Sequence, residues 1–149
     1  MVYFVNLSSR KRIEAINITD KIKEIIEENK IESGLMNIYV PHTTAAITIN
    51  EAYDSDVFND FLEKTSEIFP NSLKYKHNEG NSDAHIKSAI IGNQRFIIIE
   101  NSKPIFGRWE GIFFLEFDGP RNRQVILQLI KTWYLLFTKE NLYIEILTF

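Results

Sequence analysis

The stretch "LMNIYVPHTTAAITINE", residues 35–51, predicts two neighbouring β-strands and with them a fold built on sheets. Its second half, if extended, turns alternate side chains to opposite sides. One set is mainly polar and consists of His42, Thr44, Ala46, Thr48 and Asn50, whereas the other consists of Ala45, Ile47, Ile49 and Glu51. The polar face is either a solvated surface or the wall of a pocket that hydrogen-bonds a ligand.

Outward from this stretch, the sequence predicts further strands and three helices. Runs rich in apolar, β-branched and aromatic residues predict strands at 2–8, 12–18, 95–100, 111–117 and 123–130. The turn-prone "SSRK" between the first two predicts a β-hairpin. Apolar residues at helical spacing predict helices that begin near Thr19 or Asp20, near Asp54, and near Ser82 or Asp83. Their expected ends are Gly34, Pro70 and Gly92.

The last part of the sequence is ambiguous. The aromatic and β-branched residues of 131–149 favour further strand, whereas 123–137 also fits one amphipathic helix. We favour strand through about residue 129.

Length and composition indicate one domain. A chain of 149 residues with 44% hydrophobic content buries roughly two-thirds of its unfolded surface. The net charge of −3 argues against a nucleic-acid partner, because no broad positive field is available to neutralise phosphates. The absence of cysteine excludes thiolate chemistry and favours a cytoplasmic location, and no apolar run approaches the roughly 18 residues that cross a membrane.

The three histidines of the chain are the first candidate site. His85 falls in the first turn of the third predicted helix, where the positive end of the helix dipole disfavours imidazolium. Neutral imidazole binds metal ions, and three histidines with an open fourth position form a known catalytic zinc arrangement. The histidines His42, His77 and His85 are therefore either metal ligands or structural hydrogen-bonding groups. Oxygen groups near them in sequence are Glu51, Asp54, Asp56, Asn78, Glu79 and Asp83.

A second candidate site follows the turn-forming "DGP" of residues 118–120. Arg121 and Arg123 lie two residues apart and project to one side of an extended chain. Two adjacent guanidinium groups suit bidentate capture of phosphate or diphosphate. The alternative is a solvated pair that bridges to Glu116 and Asp118.

Four motifs in order resemble the YjbQ-like family, whose members are described as secondary thiamine-phosphate synthases. They are "PHTTAAITINE", "DSDV", "YKHNEGNSDAHIK" and "GRWEGIFFLEFDGPRNR", and the similarity covers about residues 35–128. The resemblance implies a single α+β domain over 1–149, with layered, largely antiparallel, sandwich-like β-sheets and a few short helices. It also implies a homotrimer with a histidine-lined pocket able to hold a metal ion.

Combined with the patterns above, the resemblance implies three groups of site residues. The expected metal ligands are His42, His77 and His85. The expected catalytic residues are Glu51, Asp54, Asp56 and Arg121. The expected substrate contacts are Thr43, Thr44, Asn50, Asn81, Lys87, Trp109 and Arg123. Arg108 and Glu110 depart from the usual family residues, and the resemblance does not account for the C-terminal extension at about 130–149.

The implied activity joins hydroxymethylpyrimidine diphosphate to thiazole phosphate and releases diphosphate. Arg121, with Lys87 or Arg123, is expected to bind phosphate. A divalent ion at the histidines is expected to be zinc or another transition metal rather than magnesium, which prefers oxygen ligands. Two other functions remain open, namely a metal-dependent hydrolase of a small phosphorylated or amide substrate and a non-catalytic trimer that binds a small anion. We expect no membrane partner.

Overall fold

Two antiparallel β-sheets form the framework of the chain, which a computed structural model describes over residues 1–72 and 75–130. The strands are β1 (Val2–Ser8), β2 (Glu14–Asn17), β3 (Gly34–Tyr39), β4 (Ala45–Glu51), β5 (Gln94–Glu100), β6 (Lys103–Pro104), β7 (Glu110–Glu116) and β8 (Asn122–Ile130). The helices are α1 (Thr19–Glu28), α2 (Asp56–Ile68) and α3 (Ser82–Ile91). The five-stranded sheet has the order β1-β8-β3-β5-β6 and the three-stranded sheet the order β2-β7-β4. The predicted α+β domain with layered antiparallel sheets is confirmed.

The two sheets and three helices pack around two hydrophobic clusters. The larger cluster lies between the sheets and includes α1, which contributes Ile22 and Ile26. The smaller cluster lies on the other face of the three-stranded sheet, where Phe58 of α2 and Ala84 of α3 pack on Phe113 and Leu115 of β7. Helices α2 and α3 therefore cover the three-stranded sheet from outside.

The predicted hairpin between the first two strands is wrong. β1 pairs with β8 in the five-stranded sheet, whereas β2 pairs with β7 in the three-stranded sheet. The segment between them bonds to the 119–121 loop instead, since the Ser9 amide donates to the Arg121 carbonyl and the Gly119 amide donates to the Arg12 carbonyl. This connection carries the chain from one sheet to the other.

Two of the three predicted helix ends are right and one is wrong. α2 ends at Ile68, two residues before the expected stop at Pro70. Gly92 follows α3 with a φ of 93°, a left-handed conformation that glycine adopts without a steric penalty. α1 instead ends at Glu28, and Gly34 begins β3. Gly34 lies so close to β8 that an added Cβ would stand 2.7 Å from the Ile130 carbonyl oxygen. The absence of a side chain at Gly34 therefore allows β3 and β8 to approach closely.

The alternating face of β4 is neither a solvated surface nor a pocket wall along its length. Ala46 is fully buried in the smaller cluster, and Thr44 is also buried. The α3 side chain of Ser88 donates a hydrogen bond of 2.6 Å to the Ala45 carbonyl, which fixes the helix on this strand. On the rest of this face, Asn50 is exposed, and His42 and Thr48 are half-buried.

No helix within residues 1–72 and 75–130 has the length and apolar character needed to cross a membrane. The ambiguous segment 131–149 lies outside the described residues.

Candidate functional site

The three histidines line two adjacent pockets that share His85. One pocket of about 510 Å³ contains His42, Thr43 and His85 with residues of α3 and the β3–β4 connection. The other, of about 410 Å³, contains His77 and His85 together with Tyr75, Lys76, Ser82 and Ile86. We call these two pockets together the histidine groove. Residues from two separate motifs, "PHTTAAITINE" and "YKHNEGNSDAHIK", thus meet along one surface beside α3.

His42 is held as a hydrogen-bond acceptor. Its Nε2 accepts the Gln124 amide of β8 at 3.0 Å, an arrangement that requires this nitrogen to be unprotonated. Burial lowers the pKa of His42 below its ordinary value of 6.5, and the nearby positive charge of Arg123 lowers this pKa further. The imidazole of His42 is therefore neutral at neutral pH.

His77 and His85 form a contacting pair whose ring centroids are 5.3 Å apart. Two imidazoles bound to one tetrahedral ion have centroids about 5 Å apart, given metal–nitrogen bonds of about 2.0–2.1 Å. The spacing therefore fits two ligands of one ion. Across residues 1–72 and 75–130, however, no three His, Asp or Glu side chains form a group able to hold a metal ion. The described residues thus fit a two-histidine site better than the predicted three-histidine site.

A buried ion cluster fixes α3 beneath the groove. Lys87 Nζ donates to Asp83 Oδ2 at 2.9 Å, and both side chains are almost wholly buried. Arg12 adds a bidentate pair at 2.9 and 3.1 Å to the same carboxylate. Burial alone would raise the pKa of Asp83, but the hydrogen bonds from Arg12 and Lys87 hold this pKa below its ordinary value. Lys87, predicted to contact substrate, is thus engaged in the interior, two residues beyond His85.

Arg123 belongs to a second buried cluster. Its Nε and Nη2 each donate to Glu116 at 2.7 Å, and Nη2 also donates to the Thr44 hydroxyl at 2.8 Å. Ser9 donates to the same carboxylate at 3.0 Å. Burial would raise the pKa of Glu116, but the bonds from Arg123, the Asp118 amide and Ser9 keep it below its ordinary value. Of the predicted substrate contacts, Arg123 therefore binds Glu116 and Thr44, and the Thr44 hydroxyl is held by Arg123.

Arg121 lies at the surface beside this second cluster. Its Nε donates to the Asp118 carbonyl and its Nη2 to the Asp118 carboxylate, both at 2.7 Å, while 53% of its side chain stays exposed. Asn81 donates to the same carboxylate at 3.0 Å. The two arginines therefore have the carboxylate partners of the alternative interpretation, Asp118 and Glu116, although the Arg123 pair is buried rather than solvated.

The predicted acidic residues lie at the far end of β4 from the histidines. β4 contains seven residues, which correspond to about 20 Å of extended chain. Beyond its end, Glu51 and Asp54 line a pocket of about 420 Å³ with Tyr53 and Phe58. The exposed residues Asn50 and Asp56 are also at this end, and Trp109 stacks on Tyr53 with centroids 5.0 Å apart. Within one chain, these residues do not join the histidine groove.

Two members of the buried clusters were missed by sequence reasoning. Arg12 was assigned to a strand and Ser9 to a turn, yet both donate to buried carboxylates. The partners are far apart in sequence, 71 residues for Arg12 and Asp83 and 107 for Ser9 and Glu116. Periodicity and spacing give no signal for such pairs, but a charged residue inside an otherwise strand-like motif, such as Glu116, is a signal that a buried cation is needed.

Comparison with known proteins supports a single family for the whole described fold. The family model described as "UPF0047 protein YjbQ-like" matches residues 4–132. A UPF0047 protein from Methanocaldococcus jannaschii is 46% identical over 130 residues, covering 87% of this chain and 94% of the relative. The UPF0047 protein YugU from Bacillus subtilis is 42% identical, covering 87% of this chain and 99% of the relative.

Solved structures agree with the sequence comparison. A crystal structure of a YjbQ/UPF0047 family protein from Clostridium acetobutylicum has a TM-score of 0.83 and 44% identity, covering 86% of this chain and 99% of that one. A hypothetical protein from Aeropyrum pernix has a TM-score of 0.84 and 32% identity, covering 89% of this chain and 99% of that one.

Proposed function

Because the chain belongs to the YjbQ-like UPF0047 family, we propose that its histidine groove binds a small phosphorylated molecule and that the protein is a thiamine-phosphate synthase-like transferase. The observation that supports this proposal is the meeting of His42, His77 and His85 along one groove beside the start of α3. The positive end of a helix dipole favours an anionic ligand. The absence of cysteine supports a cytoplasmic location in this proposal, because disulfides are rare in the cytosol.

Each part of the groove has a separate task in this proposal. Neutral His42 can donate a hydrogen bond to the ligand from its Nδ1–H, because its Nε2 accepts the Gln124 amide and burial keeps the imidazole uncharged. The α3 start and exposed Lys76 attract phosphate oxygens. The Asp83 cluster keeps α3, and with it His85, in one position while the ligand changes charge. Arg121 is an exposed cation beside Asp118 and steers the second phosphate.

The proposal includes a metal ion bound in the histidine groove beside the phosphorylated molecule. His77 and His85 would hold it, as their ring spacing indicates, and zinc or another transition metal suits imidazole better than magnesium does. Such an ion supplies positive charge that stabilises a leaving diphosphate. A third ligand would then come from outside the histidine pair, and a phosphate oxygen of the bound molecule has the required chemistry.

Two other functions use the same groove. A metal-dependent hydrolase of a phosphoester or amide needs a water activated at the histidine pair. A non-catalytic anion-binding trimer needs only the positive potential of the groove. The transferase differs from both because it requires two phosphorylated substrates and releases diphosphate.

The experiment compares wild type with His85→Asn, with Ile90→Ala as a control at an exposed position of the same helix. Protein purified without a histidine tag is analysed for metal and assayed for thiamine-phosphate formation and for hydrolysis of p-nitrophenyl phosphate. We expect His85→Asn to lower kcat/KM for thiamine-phosphate formation by at least about a hundredfold. The Ile90→Ala control should match wild type.

Each alternative has its own result. Hydrolysis without thiamine-phosphate formation would establish the hydrolase, and phosphate binding without either reaction would establish the anion-binding protein.

Arg121→Lys keeps the charge but loses the planar paired donors, so a phosphate role predicts a loss of about tenfold to a thousandfold in kcat/KM at an unchanged thermal midpoint. Equal rates for wild type and this variant would show that Arg121 does not contact the phosphate.

A further inference from the structure

Arg12 connects segments of the chain that carry residues of the candidate site. Its guanidinium donates to the carboxylate of Asp83, in the first turn of α3, at 2.9 and 3.1 Å. Its backbone carbonyl accepts the Gly119 amide at 2.9 Å, in the loop that leads to Arg121. Arg12 lies outside the four motifs on which the family resemblance rests, so that resemblance assigns it no role.

A further connection passes through the side chain of Asn71. This amide satisfies both of its polar groups in one orientation, in which its nitrogen donates to the Gly80 carbonyl at 2.9 Å and its oxygen accepts from Arg12 Nη2 at 3.2 Å. Gly80 lies three residues after His77. Arg12 is therefore linked, through one side chain, to the loop that carries His77.

The His77 loop also contacts the Arg121 loop directly, through Asn81. The Asn81 amide donates to Asp118 Oδ2 at 3.0 Å, and Arg121 Nη2 donates to the same atom at 2.7 Å. Asn81 Oδ1 is buried and has no hydrogen-bond partner within residues 1–72 and 75–130. The direct contact thus uses only one of the two polar groups of Asn81, and the path through Arg12 is the second connection between these loops.

Arg12 also determines the net charge at the start of α3. Asp83 alone would place a negative charge there and would oppose an anionic ligand. Arg12 and Lys87 both pair with this carboxylate, so that two positive charges face one negative charge. Arg12→Lys separates charge from connection, because a lysine keeps the positive charge but lacks the planar fork that spans Asp83 and Asn71.

We propose that Arg12 is a positioning residue, which fixes His77 and His85 relative to each other and to the Arg121 loop. It acts on His85 through Asp83, two residues earlier in α3, and on His77 through Asn71. Hydrogen bonds to the partners of metal ligands commonly fix the ligand geometry in this way. The purpose of this arrangement rests on the proposed function, whereas the contact between the two histidines is measurable without substrate or metal.

Nuclear magnetic resonance of the histidine rings tests the positioning. The chain has three histidines, so selective 13C labelling gives three sets of ring signals, which His77→Gln and His85→Asn assign. Wild type should show a nuclear Overhauser effect between His77 and His85, whose ring centroids are 5.3 Å apart. We expect Arg12→Lys to lose this effect. The lysine variant should still fold, because 35% of the Arg12 side chain is exposed and the charge opposite Asp83 is kept.

Zinc binding measures the consequence for the site. Zinc alone is titrated into tag-free protein in competition with a chromophoric chelator. Residues that orient metal ligands typically contribute about tenfold to a hundredfold to metal affinity, and we expect Arg12→Lys to weaken zinc binding by such a factor. Asn71→Ala is the second variant, because it breaks the connection to the His77 loop at an exposed position and leaves the Asp83 pair intact. It should also lose the ring contact.

Arg95→Lys is the matched control. Arg95 lies beyond the other end of α3, where its Nη2 donates to the Ile91 carbonyl at 2.7 Å. This variant should keep the ring contact and the zinc affinity of wild type. The proposal is overturned if wild type lacks the ring contact, if Arg12→Lys and Asn71→Ala both keep it, or if Arg95→Lys loses it equally. Loss of the contact in Arg12→Lys, together with a wild type that forms no thiamine phosphate, would support the positioning role and refute the proposed function.

Discussion

At the scale of single residues, His42 makes the stability of the folded chain depend on pH. Its pKa is lower in the folded chain than the ordinary value of 6.5, mainly because it is partly buried and also because Arg123 is near. As the pH falls below about 6.5, the unfolded chain therefore takes up the proton first, and the folded state loses stability. The bond from the Gln124 amide is lost when Nε2 is protonated.

His42→Gln should remove this part of the pH dependence. The Gln side-chain oxygen can still accept the Gln124 amide but does not titrate. We expect the thermal midpoint of wild type to fall more than that of His42→Gln between pH 7.5 and pH 5.5, as measured by circular dichroism. His77→Gln is the control, because it removes an exposed histidine and leaves His42 in place. Parallel curves for wild type and His42→Gln would contradict the assignment.

The sequence was informative about these residues to different degrees. The histidines could be predicted to lie together because the motifs that contain them are specific and because His85 falls in the first turn of a helix. The engagement of Arg123 and Lys87 could not, because the carboxylates that bind them become neighbours only when β4, β7, β8 and α3 assemble. The sequence pattern therefore does not reveal that these two side chains are held in the interior by tertiary contacts.

At the scale of elements, a buried carboxylate, that of Asp83, helps to hold α3 in position. Asp83 is fully buried and accepts bonds from both Lys87 and Arg12. Lys87→Met should lower the free energy of unfolding by about 3 kcal/mol, since it leaves a buried carboxylate with a single cation. Urea denaturation followed by circular dichroism measures this change.

Lys64→Met is the matched control for Lys87→Met. Lys64 makes an ion pair of the same chemistry with Glu67 on α2, but both side chains are exposed. The urea midpoint should stay nearly unchanged, because exposed ion pairs contribute little to stability. A similar loss in both variants would show that burial of the Asp83 cluster has no special role.

The strands and helices themselves were largely predictable, and their pairing was not. The apolar runs that became β5, β7 and β8 and the stripe of α1 stand out from the sequence because burial imposes a period on them. The partner of β1 is β8, whose residues are more than 110 positions away. The residues between β1 and β2 have a composition typical of a hairpin turn. They form hydrogen bonds with the 119–121 loop instead, and β1 and β2 therefore lie in different sheets.

At the scale of the whole molecule, self-association remains a prediction from the family resemblance. The outer strands of the two sheets, β1, β6, β2 and β4, leave edges through which copies can pair. We expect light scattering at micromolar concentration to give about three times the 17.5 kDa mass of one chain. A stable monomer under these conditions would refute the trimer.

The pairing of β1 with β8 also determines how the chain folds as it is made. Ser8 and Asn122, opposite each other at one end of this pair, are separated by 114 residues. A ribosome that adds about 5–20 residues per second needs roughly 6–23 s to synthesise that length. During this time β1 has emerged without its partner, and the larger hydrophobic cluster, to which Val5 and Leu7 belong, remains incomplete. The nascent chain must therefore keep its first strand from aggregating until the last strand of the sheet has been translated.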